Sequence, residues 1–140
     1  WNLRDGWPVI SDAIVDYYYG KKLAYHYIKR VQTDVCVMIG DTKEKGHPVV
    51  IVNDTRNQVK GNFSIKDADT GNLLLNKSFK VEKNGKLLEG YLEKTGETGM
   101  WLIQWEVDGV EYKNHYFAFE PHVELDEYLK WMSKLKSQDI

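Results

Sequence analysis

The stretch WLIQWEVDGVEYKNHYFAF, residues 101–119, decides the fold. In its first half every second residue is apolar, and the residues between them are mostly polar. The apolar positions are Trp101, Ile103, Trp105 and Val107. This period of two is typical of a β-strand with one buried face. The Asp108-Gly109 pair that follows is a strong signal for a two-residue hairpin turn, so a second strand is expected after it.

The same alternation recurs from residue 34 onward, interrupted by turn residues about every ten positions. It predicts seven strands, at Val35–Asp41, Pro48–Asn53, Gly61–Asp67, Leu73–Val81, Lys86–Glu93, Trp101–Val107 and Glu111–Phe119. Seven short strands in about 90 residues are typical of an immunoglobulin-like antiparallel β-sandwich. The single cysteine, Cys36, excludes the cysteine pair of antibody domains, so the prediction concerns the architecture alone.

Helical spacing appears on both sides of this β region. Leu23, Ala24, Tyr27, Ile28 and Val31 indicate an amphipathic helix over about 21–32. After Pro121 the apolar residues again follow helical spacing, which predicts a second short helix. We therefore divide the chain into an N-terminal segment (1–33), a sandwich (34–120) and a C-terminal amphipathic helix (121–140).

The composition is that of an ordinary globular protein, with 42% hydrophobic and 29% charged residues and a net charge of −2. The basic residues are scattered, so we expect no nucleic-acid partner. No apolar run approaches the roughly 20 residues that span a bilayer, so we expect no membrane partner. The compartment itself stays open.

Neither a metal nor another cofactor is predicted. The four histidines lack the spacing of a metal site, and one cysteine cannot build a cysteine-based zinc site. Residues 67–72, DADTGN, are similar to the start of a calcium loop but lack the downstream bidentate Glu. A plain turn is the favoured interpretation of that segment.

The first thirty residues carry a motif. The chain opens WNLRDGWPVIS, followed by DYYYG and KKLAYHYIKR. Two tryptophans and a proline at the first residues are unlike a natural terminus, which is usually polar. The run resembles the junction between the catalytic barrel and the next domain in glycoside hydrolase family 2, the β-mannosidase and β-galactosidase group. Arg4 stands where the family has Asn, and Ser11-Asp12-Ala13 replaces the commoner Ser-Trp-Ser. The run VVIVNDT, residues 49–55, is similar to the second sandwich strand of these enzymes.

The resemblance implies that residues 1–33 end a (β/α)8 barrel and that the sandwich follows it. Trp1 and Asp5 would line the substrate site of the parent enzyme, although packing of Trp1 at the domain junction is an equal interpretation. The two catalytic Glu residues of the family lie on earlier barrel strands, so this chain has no catalytic residue and is an accessory part. It would brace the barrel of a retaining exo-β-glycosidase that acts on a carbohydrate substrate. The parent would be periplasmic or secreted, and the excised piece would self-associate through its uncovered apolar face.

Two other functions remain open. One is a carbohydrate-binding module, in which residues of the sixth and seventh strands form an exposed platform that stacks on sugar. Its candidate residues are Trp101, Trp105, Tyr112 and Tyr116. Burial of these side chains in the sandwich core is the favoured interpretation. The other is a structural or adhesion-type sandwich with no connection to sugar.

Overall fold

The computed structural model describes residues 2–93, 98–118 and 123–137. Helix α1 spans Leu23–Val31 and helix α2 spans Leu125–Ser137. The seven strands between them are β1 (Val35–Ile39), β2 (His47–Asn53), β3 (Val59–Asp67), β4 (Leu73–Val81), β5 (Gly85–Leu92), β6 (Gly99–Val107) and β7 (Val110–Ala118). The predicted mainly β fold, with antiparallel strands in two sheets and a short helix near each end, is confirmed.

The strands form one sheet of three, in the order β1-β2-β5, and one sheet of four, in the order β4-β3-β6-β7. All strand pairs are antiparallel. The fourth strand joins the sheet of β3, β6 and β7, unlike the arrangement of an antibody constant domain, where it joins the other sheet.

The core lies between the two sheets and follows from the alternation in the sequence. Val37, Val49, Ile51 and Ile65 have no exposed surface, and Phe63, Trp101 and Trp105 are almost completely covered. β-Branched and aromatic side chains suit these positions because they pack well on a pleated, buried surface.

Two turns predicted as hairpins have different roles. Asp108 (φ 52°) and Gly109 (φ 78°) both take positive φ between the paired residues Val107 and Val110, as a type I′ hairpin requires. Asn84 also has positive φ, but β4 and β5 belong to different sheets. The Asn84-Gly85 turn therefore connects the two sheets, because turn chemistry does not decide which sheet the next strand joins.

Helix α2 covers part of the outer face of the four-stranded sheet. Its buried Trp131 and Leu135 pack with Met100 in a second apolar cluster, which Leu102 and Phe117 extend. Met100 and Leu102 alternate along β6 with the core residues, so this cluster lies on the opposite face of the sheet. Neither helix in the described part of the chain has the length and apolar character needed to span a bilayer.

The chain divides into two compact units, Trp1–Thr33 and Asp34–Ile140, called here the N-terminal unit and the sandwich unit. Nearly all of the apolar core residues belong to the sandwich unit. In the N-terminal unit, Ala13 is a buried apolar residue, and α1 has no buried residue.

Candidate functional site

The N-terminal unit is built on a three-segment ladder. Arg4 forms a parallel bridge with Val15, and Val15 forms an antiparallel bridge with Lys21. The amide of Asp5 donates to the carbonyl of Val15, and the amide of Lys22 donates to the carbonyl of Ile14, both at 3.0 Å. These bonds hold the opening motif against the segment that leads into α1.

A tight turn joins the second and third segments of the ladder. Asp16 Oδ1 accepts a hydrogen bond from the amide of Gly20 at 2.7 Å, and Tyr19 takes a positive φ of 69°. A Cβ at Gly20 would lie 2.5 Å from Asp16 Oδ2, so a side chain here would displace the carboxylate. The DYYYG sequence thus forms a turn that fixes the ladder register.

One face of the ladder carries an ion pair whose carboxylate is buried. Asp5 is 4% exposed, and its carboxylate accepts from Lys22 Nζ at 3.0 Å and from the Ser11 hydroxyl. Ser11 Oγ in turn accepts from the amide of Ala13 at 3.0 Å. The hydrogen bonds from Ser11 and Lys22, helped by the Lys22 charge, hold the pKa of Asp5 below its ordinary value despite burial. Asp5, expected to line a substrate site, is thus engaged within its own unit. Trp1 lies outside the described residues.

The opposite face of the ladder carries two cations on aromatic rings. Bridged residues point to the same side of a ladder, so Arg4 and Lys21 share the face of Val15. The Arg4 guanidinium lies 4.4 Å from the Tyr19 ring centroid, and Lys21 Nζ lies 4.9 Å from the centroid of Tyr25. Arg4 departs from the family pattern, but the sequence pattern does not predict its pairing with Tyr19. The signal that could have indicated these contacts is the number of tyrosines that flank Lys21 in the sequence.

Large apolar side chains of the N-terminal unit are uncovered. Trp7 is 69% exposed, and Leu23 and Val31 on α1 are 57% and 49% exposed. The helix is strongly amphipathic, yet none of its residues is buried. An apolar surface of this kind usually marks a contact with another protein surface.

The four aromatic residues proposed as a sugar platform stack in two pairs. Trp101 lies 5.8 Å from Tyr116, and Trp105 lies 5.5 Å from Tyr112, measured between ring centroids. Both indoles are only 1% exposed, and Trp105 Nε1 donates to the carbonyl of Val35 at 3.0 Å. The burial favours the core interpretation of the indoles, so a platform would have to be built from the half-buried tyrosines.

A polar cluster surrounds Tyr116 at the edge of the sandwich. His47 Nδ1 lies 3.2 Å from the carbonyl oxygen of Gly40 and 3.3 Å from the Tyr116 hydroxyl. The His47 ring also meets Trp101 edge to face. Burial raises the pKa of Tyr116, and the nearby Asp41 charge acts in the same direction. The phenol therefore stays neutral and contributes hydrogen bonding at the sandwich edge.

The acidic pair that faces across β6 and β7 does not have the surroundings of a glycosidase site. Glu106 and Glu111 are opposite one another on β6 and β7. Both lie on the solvent side, and Glu111 accepts from Gln104 at 2.6 Å and pairs with Lys113 at 3.5 Å. A general acid needs a raised pKa, usually from burial, which an exposed sheet face does not supply.

The segment compared with a calcium loop makes a turn and holds α2. Asp67 Oδ1 accepts from the amides of Asp69 and Thr70, at 3.0 and 2.7 Å. The Asp69 carboxylate points to α2, where it accepts from Trp131 Nε1 at 2.8 Å and pairs with Lys130 and Lys134. Within the described residues, no group of three or more His, Cys, Asp or Glu side chains could hold a metal ion.

Comparison with known proteins gives a likeness at the level of structure. No protein-family model and no curated protein sequence matches the chain. The chain is similar to the crystal structure of a β-D-mannosidase from Dictyoglomus thermophilum, with 25% identity and a TM-score of 0.65. It is also similar to the Amycolatopsis orientalis exo-chitosanase CsxA, with 17% identity and a TM-score of 0.59.

Both matches include most of this chain and little of the enzyme. The match covers 84% of this chain and 15% of the mannosidase, and 82% of this chain and 14% of the exo-chitosanase. The chain thus spans about one seventh of the length of each enzyme. What the comparisons show is a fold that this chain shares with a small part of a β-D-mannosidase and of an exo-chitosanase.

Proposed function

We propose that this chain is the C-terminal accessory region of a family 2 glycoside hydrolase, joining the end of the catalytic barrel to a bracing β-sandwich. The observation that carries the proposal is the structural match to 15% of a β-D-mannosidase over 84% of this chain. The resemblance of the opening motif to the barrel–sandwich junction of that family supports it independently.

The partner in this proposal is the catalytic barrel of the same protein. Leu23, Tyr27 and Val31 follow one another at intervals of four along α1, so they form one stripe. Leu23 and Val31 are about half exposed in this chain. The remaining barrel segments would cover the stripe, and the hydrolysis of a β-linked sugar would be carried out by acids outside this chain.

An activity assay tests whether the catalytic acids lie outside this chain. The 140-residue chain and the longer protein encoded at the same locus are each mixed with p-nitrophenyl β-mannoside, β-galactoside and β-glucuronide. We expect p-nitrophenol release by the longer protein alone. Release by the 140-residue chain would place catalytic acids within it and contradict the proposal, as would inactivity of both proteins.

A pair of variants tests the bracing role. In the longer protein, Leu23→Glu with Val31→Glu should lower the thermal midpoint by several degrees, because two charges would be buried in the contact. Lys29→Gln, on the exposed part of the same helix, is the matched control and should leave the midpoint unchanged. Equal midpoints for both variants would exclude the packing of this stripe on a barrel.

The burial of Trp101 and Trp105 makes the carbohydrate-binding module the weaker alternative. A binding platform on a sandwich needs aromatic faces open to solvent, and these two faces are covered by Tyr116 and Tyr112.

A further inference from the structure

The segment that leads into α1 is a long loop with a structure of its own. Residues 3–22, called here the pre-helix loop, are held by isolated bridges and by the turn at Asp16. Loops of more than about 12–15 residues are uncommon in compact domains, and they are usually either functional or disordered. The backbone bonds of this loop make it a folded one, which favours a functional role.

Asp5 joins the beginning, the middle and the end of the pre-helix loop. Its Oδ1 accepts from the Ser11 hydroxyl, and its Oδ2 accepts from Lys22 Nζ at 3.0 Å. Lys22 Nζ also donates to the carbonyl of Ser11 at 3.1 Å, which closes the network. All of these contacts lie within the loop and the carboxylate is buried, so other parts of a protein could cover the loop without disturbing them.

The place of this loop in a barrel follows from the helix after it. In the proposed function α1 belongs to the catalytic barrel, so the pre-helix loop is the one that joins a barrel strand to its helix. Loops of this kind build the active site at the C-terminal face of (β/α)8 barrels. The loop would therefore shape part of the substrate site, a step that rests on the proposed function.

We propose that Asp5 is a positioning residue, which ties Ser11 to Lys22 and so holds the pre-helix loop in the shape that a β-glycoside substrate requires. Both oxygens of its carboxylate are engaged within the loop, so Asp5 acts through the loop rather than by touching the sugar. A displacement of about 1 Å in a substrate site can lower catalytic efficiency by as much as about 100-fold.

Steady-state kinetics of the longer protein test the role. Asp5→Asn keeps the size of the side chain but removes its charge. We expect KM for the best p-nitrophenyl β-glycoside to rise about tenfold and kcat to change by less than about twofold, because the catalytic acids lie on other segments. Lys22→Met should have the same effect, and Lys22→Arg should restore most of the affinity. Asp12→Asn, at an exposed position of the same loop, is the matched control and should change neither constant.

A destabilised variant separates positioning from stability. Val37 has no exposed surface in the sandwich, so Val37→Ala should lower the thermal midpoint through the cavity that it leaves. Its KM, measured well below that midpoint, should equal that of the wild type. If Asp5→Asn also lowers the midpoint and leaves KM unchanged, its role is structural alone and the inference is overturned.

Hydrogen exchange in the 140-residue chain tests the network without an activity assay. The amides of residues 5, 15 and 22 carry the backbone bonds of the ladder. In Asp5→Asn we expect them to exchange about tenfold faster, with the amides of Ile51 and Ile65 as the unchanged internal reference. Unchanged exchange at the ladder would show that Asp5 does not hold the loop.

The inference and the proposed function fail in different ways. Inactivity of the longer protein on every β-glycoside would remove the reaction and overturn both. An active longer protein whose KM is the same in Asp5→Asn and in the wild type would overturn the positioning role alone.

Discussion

Asn53 connects three parts of the sandwich through one side chain. Its Nδ2 donates to the carbonyls of Asn57, Val81 and Glu82, at 2.8, 3.3 and 3.0 Å. Its Oδ1 accepts from the amide and hydroxyl of Thr55, at 2.9 and 2.7 Å. The side chain has no exposed surface. The end of β2, the turn after it and the end of β4 in the other sheet therefore depend on a single buried amide.

Replacement of this amide should destabilise the fold. Asn53→Ala leaves buried carbonyls without a donor, and we expect the free energy of unfolding to fall by about 2–3 kcal/mol. Urea denaturation followed by circular dichroism measures the change. Asn76→Ala, at an exposed position of β4, is the matched control and should alter stability by less than about 0.5 kcal/mol. A loss of similar size in both variants would mean that the Asn53 network contributes little.

Sequence patterns located Asn53 but not its role. The run that ends in Asn53-Asp54 resembles a strand of family 2 enzymes, and the predicted strand starts within one residue of the observed β2. The partners Val81 and Glu82 lie 28 and 29 residues away along the chain. Contacts across such separations depend on how the sheets pack, which local periodicity does not contain.

At the scale of elements, α2 is held to the sheet by Asp69 as well as by apolar packing. Burial disfavours the charge of this carboxylate, but hydrogen bonds from Lys130, Lys134 and Trp131 outweigh that effect. They hold the pKa of Asp69 well below its ordinary value. The ionised carboxylate is thus the form that the folded state prefers.

This preference predicts a pH dependence. Because the folded-state pKa is depressed, Asp69 stabilises the fold fully above its unfolded-state pKa of about 4, and the contribution falls as pH decreases through lower values. Asp69→Asn should reduce the free energy of unfolding at pH 7 and remove part of the loss between pH 5 and pH 3. Urea unfolding at several pH values checks this. Asp54→Asn, at an exposed turn position, is the control. An identical acid profile for wild type and Asp69→Asn would contradict the assignment.

Periodicity predicted the elements well because each strand and helix buries one face. All seven strands and both helices lie within about two residues of their predicted starts or within the predicted ranges. The role of Asp69 escaped prediction because its partners on α2 are 62 and 65 residues away along the chain. The Arg4–Tyr19 contact escaped it because Tyr19 lies in a turn and has a positive φ, which sequence does not favour outside glycine, asparagine and aspartate.

At the scale of the whole molecule, the sandwich unit contains its own core. Its main apolar cluster draws only on residues 35–118, and the second cluster on residues 68–135. We expect a 34–140 chain to unfold cooperatively, with a β-type circular dichroism spectrum. The 140-residue chain should self-associate in sedimentation velocity at high concentration, whereas the 34–140 chain should sediment as a monomer, because the exposed stripe of α1 is removed. An unfolded 34–140 chain would show that the N-terminal unit is needed for folding.

The edge of the four-stranded sheet at β4 is a place where a strand of another copy could add. β4 is an outer strand of the four-stranded sheet, and it presents the exposed Lys77 and Lys80. Lys77 also reaches β5, where it donates to the carbonyl of Glu89 at 2.7 Å. Addition of another strand at this edge would place its backbone and side chains beside these charged lysines, at an electrostatic and desolvation cost. We therefore expect the charged edge to disfavour the growth of amyloid-like assemblies from copies of the sandwich.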